Sequence, residues 1–381
     1  MSLDWHYIAP LQEALYKICV DWYTTSTSLD DLVYSTHSMF LAFAMLYIGS
    51  VGSTKKELEK VFGYSKLPAD KFLSILTTLI YTEDGEVSPL LVANGIWANK
   101  DFVLKESYIE SVKKMNCTIN SVDFRKDVES VRKVINLFVE ENTKNVIQDF
   151  IQEGVITSDT LSVLVNAIYF EGKWATPFDV LPDKMKFKIG GQNLRDSKPE
   201  TQYAIALKSE VRSSAQFREK YTSVSIPYTS ADYSMVFIVP NDMTSFEKEG
   251  GINELKDIVI STVQSFPQKR NVTIPKFEIE SSFAMNDQLG KLGLKDSFTQ
   301  NADFSNMSNN KLSVSAAIHR AKVKVDEKGT IAAAATGIMM MRAMIVEEAK
   351  DVVVDSPFYF VIVGKHNLPI FFGKITHPIT K

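Results

Sequence analysis

The class this sequence predicts is an α+β fold built as one large domain, and three observations carry that reading. Apolar residues recur at helical spacing through residues 3 to 62, whereas most later stretches are short apolar or alternating runs with strand character. At 381 residues and 45% hydrophobic content, the chain can bury a sizeable core. No Gly/Ser-rich or Pro-rich linker, internal repeat, low-complexity block or long run of like charge divides it, so residues 1–381 read as a single domain.

The front of the chain gives three helices. Within residues 3 to 24, Ile8, Leu11, Ala14, Leu15, Ile18, Cys19 and Trp22 mark one apolar face. Thr36 to Ile48 is apolar almost throughout and is followed by Gly49 and Gly52, which predicts a buried helix with a glycine stop and with Ser35 or Thr36 as its cap. The run SVGSTKKELEKVFGY opens the next helix, with Ser53 or Thr54 as cap. Strand character follows in LLVANGIWA, SVLVNAIYF, VSIPY, YSMVFIVP, NVTIPKFEIE and IHRAKVKV; in the last, Ala321, Val323 and Val325 alternate with Lys322 and Lys324.

Composition removes several function classes. A formal net charge of −4 with no basic stripe gives no reason to expect nucleic acid as a partner. The most apolar run, MFLAFAMLYI, is too short to span a bilayer, so membrane insertion is not expected, and MSLDWHYIAP does not read as a cleavable signal peptide. Cys19 and Cys117 are too few for a disulfide framework and read as small buried side chains. Asn-x-Ser/Thr triplets at Asn116, Asn271 and Asn306 would accept glycans on an exported chain, which tilts the expected location toward the outside of the cell. Five scattered histidines offer no metal-ligand spacing, and no nucleophile elbow, zinc pair, dinucleotide turn or phosphate loop is present. The chain reads as a non-enzyme that needs neither cofactor nor metal.

The most informative run is DEKGTIAAAAT, residues 326 to 336. Propensity alone favours an Ala-rich helix. As a strand, however, it would place Thr330, Ala332, Ala334 and Thr336 on one face, and Ile331, Ala333 and Ala335 on the other, with no charge to desolvate; Gly329 supplies a pivot before it.

Five ordered segments settle the preference, because together they resemble the serpin family: VNAIYFEGKWATPFD at 165 to 179, ADFSNMS at 302 to 308, HRAKVKVDEKGT at 319 to 330, SPFYFVIV at 356 to 363 and LPIFFGKITHP at 368 to 378. The resemblance implies a single domain with three β-sheets, eight to nine helices and an exposed reactive loop at about 327–356. It also implies a monomeric suicide inhibitor that traps a serine peptidase as a covalent acyl-enzyme, the cleaved loop entering the large sheet as an added strand. At about 1 kcal/mol net per ladder bond, some ten to twenty new bonds would release on the order of 10 to 20 kcal/mol. Non-inhibitory relatives acting as carriers, chaperones or storage proteins are the alternative; they often carry charged or bulky hinge residues, which this chain lacks.

Carried over position by position, Glu327, Gly329, Thr330, Ala332, Ala333, Ala334, Ala335 and Thr336 resemble the loop hinge, and Ile331 stands where the family commonly has glutamate. Ser35, Ser38, Asn166 and His319 resemble the polar group where the central strands part, and Trp174 marks where the loop first enters. Thr36 departs from the family's usual proline. Lys276 and Glu327 match a charge pair at the hinge base. Counting from Glu327 as in most of the family puts Ala343 on the amino side of the reactive bond, and counting one short, as in some members, puts Arg342 there; Arg342-Ala343 is preferred over Ala343-Met344 and Met344-Ile345 because arginine would anchor in an acidic, trypsin-like pocket. The connection from Glu327 to Pro357 is about three residues longer than the family's usual one, and AMIVEEAKD has the composition for a helical turn there.

Overall fold

The computed structural model describes residues 4–26, 31–80, 89–189, 200–329 and 350–378. Among these residues are nine α-helices and three hydrogen-bonded sheets, of nine, five and two strands.

The first helix, Ile8–Thr25, buries Leu11, Ala14, Leu15, Ile18, Cys19 and Trp22, the face that the spacing predicts. Helix Thr36–Gly49 is apolar all round and is buried on every side, as such a helix must be. Ser35 caps it by accepting from the backbone N–H of Ser38. One expectation is corrected at the next helix, Gly52–Phe62. Its N-cap is Val51, with no side-chain cap, and the Thr54 hydroxyl instead accepts from the Asp303 N–H at 3.0 Å. A tertiary partner has taken the oxygen that local sequence assigns to the cap.

The five-stranded sheet runs in the order Phe277–Ala284, Ala316–Val325, Ser162–Phe170, Leu90–Asn99, Thr118–Val122. Its second and third strands are parallel neighbours, in register from Ala316 beside Val163 to Lys322 beside Tyr169. The nine-stranded sheet contains Tyr221–Pro227, Ser234–Pro240, Phe358–Val363 and Pro369–Ile375. The run NVTIPKFEIE, read as one strand, is split between the two sheets: Gln268–Pro275 belongs to the larger and Phe277–Ala284 to the smaller, with Lys276 at the crossover. Pro275 has no N–H to donate, which suits the end of a strand.

Every residue of Ser162–Phe170 is buried. One face joins a core with Trp97, Val131, Ile135 and Val139, the last three from helix Val128–Asn142. The other joins a core with Phe237, Phe358 and Phe360 from the nine-stranded sheet. Strands buried on both faces read as continuous apolar runs, which explains why polar residues in this one stand out. Cys19 and Cys117 are both free and buried.

Candidate functional site at the parallel seam

The parallel seam between Ala316–Val325 and Ser162–Phe170 is held at mid-height by a buried polar cluster. His319 lies directly beside Asn166 in the register, and its Nδ1 meets Asn166 Oδ1 at 2.5 Å. The Ser35 N–H donates to His319 Nε2 at 3.0 Å, so Nε2 is the acceptor and Nδ1 carries the proton. Asn166 Nδ2 donates to Ser38 Oγ at 2.5 Å and to the Ser38 carbonyl at 3.0 Å. Ser35 Oγ donates to the Ile370 carbonyl at 2.6 Å. The four residues that the resemblance grouped are thus brought together, and the cluster ties both seam strands to the N-terminus of helix Thr36–Gly49.

Asn94 completes the group and is absent from the sequence expectation: its Oδ1 accepts from Asn166 Nδ2 at 2.5 Å and from Ser38 Oγ at 3.4 Å. Its signal in the sequence is a lone amide inside LLVANGIWA, opposite the lone amide of SVLVNAIYF, since Asn94 and Asn166 are register partners.

Burial pushes the His319 imidazole down to about 3, because a charged ring there would lose water and find no carboxylate among its partners. Burial likewise pushes His37 down to about 4. Both values lie below the ordinary 6.5, so stability is fully present above pH 6.5 and is lost as pH falls toward 4 and 3. Each histidine that protonates on opening contributes a slope of about 1.4 kcal/mol per pH unit in that window. The thermal midpoint of the intact protein is expected to drop between pH 6.5 and 5, and His319→Gln to flatten part of that drop. Identical slopes for the two proteins would mean that His319 does not take up a proton when the seam opens.

Trp174 lies apart from this cluster, at the carboxyl end of the seam. Its indole stacks on Tyr228, with centroids 4.4 Å apart and planes at 8°, and its Nε1 donates to the Asp326 carbonyl at 3.0 Å. The Trp174 N–H donates to the Lys328 carbonyl at 3.2 Å, and the Phe178 N–H to the Glu327 carbonyl at 2.7 Å. Gly329 forms a bridge with Lys173 at φ +97°; a Cβ there would stand 2.5 Å from the Gly172 carbonyl oxygen and from the Trp174 nitrogen. Only glycine satisfies both the left-handed backbone and the close approach. Lys276 Nζ and Glu327 Oε2 lie 2.7 Å apart, and this contact holds the Glu327 carboxyl below its ordinary value. Both side chains keep solvent access, so the pair contributes only about 0 to 1 kcal/mol and mainly positions the chain.

Thr330, Ala332, Ala333, Ala334, Ala335, Thr336, Arg342 and Ala343 lie outside the described residues, as does most of the AMIVEEAKD stretch. Where the description resumes, Val352–Val353 pairs in parallel with Val272 and Thr273, and Val352 and Val354 are buried. The chain is thus tied to the sheets on both sides of residues 330–349.

A family profile described as Serpin (serine protease inhibitor) matches residues 13–378. This chain is a serpin. A serine protease inhibitor of Cyanea capillata is 32% identical over 91% of this chain and 92% of its own length. The leukocyte elastase inhibitor of Bos taurus is 30% identical over 97% of this serpin and 99% of its own length. Among solved structures, the thermophilic serpin tengpin in its native state aligns with a TM-score of 0.81 at 25% identity, over 99% of this chain and 95% of that one. Uncleaved ovalbumin has the same fold, with a TM-score of 0.82 at 22% identity over 97% and 100% of the two chains. The serpin fold explains why the nine helices and three sheets of the described residues belong to one domain.

Proposed function

We propose that this serpin inhibits a serine peptidase as a suicide substrate, with residues 330–349 as the bait and the seam as the destination of the cleaved hinge. The peptidase serine Oγ attacks the carbonyl carbon of Arg342, the amide bond breaks, and the Ala343 amine leaves with a proton. The resulting ester is the trapped species if the hinge enters the sheet before water reaches that carbonyl.

One observation carries this reading: the Gly329 turn brings the chain from the end of strand Ala316–Val325 across to Lys173, just past the end of strand Ser162–Phe170. A segment entering between them from this end would run antiparallel to both. Its neighbours above and below would be the two apolar cores that flank Ser162–Phe170, which suits the uncharged Thr330 to Thr336 sequence. The energy available is smaller than the loop bonds alone provide, because the existing parallel ladder has to open. Two antiparallel ladders replace one parallel ladder, leaving a net gain of roughly one ladder, on the order of 7 to 10 kcal/mol at about 1 kcal/mol per bond.

The target assignment rests on Arg342, the one side chain in this stretch with a charge-assisted fit to an acidic primary pocket. Ala343-Met344 is the second reading, favoured by the elastase inhibitor named among the relatives. Incubation with trypsin and with elastase, followed by a denaturing gel and mass measurement of the released peptide, separates them. Trypsin is expected to form a denaturant-stable complex and to release residues 343–381. Arg342→Ala is expected to weaken trypsin inhibition at least tenfold, the loss of about 1.4 kcal/mol or more of transition-state binding. Release of a peptide beginning at Met344 or Ile345, with trypsin unaffected, contradicts the Arg342 assignment.

A further inference from the structure

The described chain resumes after residues 330–349 at Lys350, whose ammonium lies over the ring of Phe217, 5.2 Å from its centroid. Arg270 shares that ring, with its Cζ 5.6 Å from the centroid. Lys350 is exposed, and Phe217, 38% exposed, borders a depression of about 290 Å³ together with the half-exposed Val353. Arg270 is only 6% exposed. Its Nη2 donates to Gln268 Oε1 at 2.7 Å, its Nε has no hydrogen-bond partner, and burial pushes the guanidinium below its ordinary value with no carboxylate opposing the shift. A buried guanidinium left unpaired is costly. The two carboxylates that line the depression already have donors, Asp351 from Asn271 Nδ2 at 3.1 Å and Asp355 from Lys188 Nζ at 2.9 Å. The ring therefore presents two cations to whatever approaches it.

What approaches it is set by chain length. Arg342 precedes Lys350 by eight residues, at most about 28 Å of extended chain, whereas a folded domain of about 200 residues is roughly 40 Å across. A peptidase seated on Arg342 must therefore overlie the base of the loop. We propose that Phe217, Lys350 and Arg270 form a second contact for the captured peptidase and take an acidic segment of its surface while Arg342 occupies its primary pocket. The inference rests on the inhibitory reading, because that reading makes residues 330–349 the bait. An acidic segment brought to this ring meets both cations, and its attraction to the exposed Lys350 weakens as salt is added.

The test uses anionic and cationic trypsin, each with its nucleophilic serine replaced by alanine so that docking is measured without cleavage. At low salt the anionic form is expected to bind the intact chain at least tenfold more tightly than the cationic form, and added salt to close the gap. Lys350→Glu is expected to abolish that advantage. The same charge change at Lys113, exposed on helix Glu106–Lys114 beside the edge of the five-stranded sheet, is expected to leave it in place. Equal affinities for the two trypsins, an advantage that survives Lys350→Glu, or one lost equally in Lys113→Glu overturns the proposal. Active trypsin separates this claim from the reading beneath it: a docking contrast without a denaturant-stable complex supports the contact and removes suicide inhibition.

Discussion

Thr330→Arg is expected to leave the fold and the cleavage of the loop intact while converting the inhibitor into a substrate. Thr330 follows Gly329, whose backbone is already bridged to Lys173 at the mouth of the seam, so residue 330 is the first to enter when insertion begins. A threonine there loses little, since its hydroxyl can find a backbone partner. An arginine on the inward face must give up its water against the core that holds Ile168, Phe170, Val323 and Val325, which costs several kcal/mol unless a carboxylate accompanies it. If insertion is slowed by about 3 kcal/mol, the acyl-enzyme partitions toward hydrolysis by on the order of 100-fold. Far more of the variant should then be consumed per trypsin inactivated, and most of it should appear as cleaved free inhibitor on a denaturing gel. An unchanged ratio of complex to cleaved product would mean that residue 330 is not buried during inhibition.

Much of this site is legible in the sequence, for identifiable reasons. Ser35 reads as a cap because an apolar helix begins directly after it, and that helix is where the structure puts it. Asn166 stands out because a polar side chain is costly inside a strand buried on both faces, and His319 lies on the buried face of its own strand, so both need partners; their place at the seam follows from the resemblance. Gly329 is readable because the run after it is small and uncharged, and its positive φ and close backbone approach agree. The misses share one cause, which is that distant partners outrank local pattern. Asn94 carries no local signal of its role, because its contribution depends on register with Asn166. Thr54 turns to Asp303 instead of capping its own helix, and a contact 249 residues away has no local signal. NVTIPKFEIE looks continuous because Lys276 interrupts no apolar alternation; only the assembly of two sheets reveals that the chain changes sheet there. The proposed reactive bond is a different case, since Arg342 and Ala343 lie outside the described residues and their assignment rests on the sequence resemblance.

On the proposed mechanism, the intact protein holds back a strand that would be more stable inside the five-stranded sheet. The direct measurement is a matched pair of melting curves, for intact protein and for protein nicked between Thr336 and Ala343 by a peptidase that is not trapped. A nick in an ordinary loop lowers stability or leaves it unchanged. Here the nick releases the hinge to exchange one parallel ladder for two antiparallel ones, and the gain of about 7 to 10 kcal/mol estimated from ladder bonds corresponds to a rise in midpoint on the order of 10 °C or more. The nicked chain is expected to melt well above the intact one at the same pH and scan rate. Equal or lower stability of the nicked protein would contradict it and transfer the reading to a carrier or storage role on the same fold.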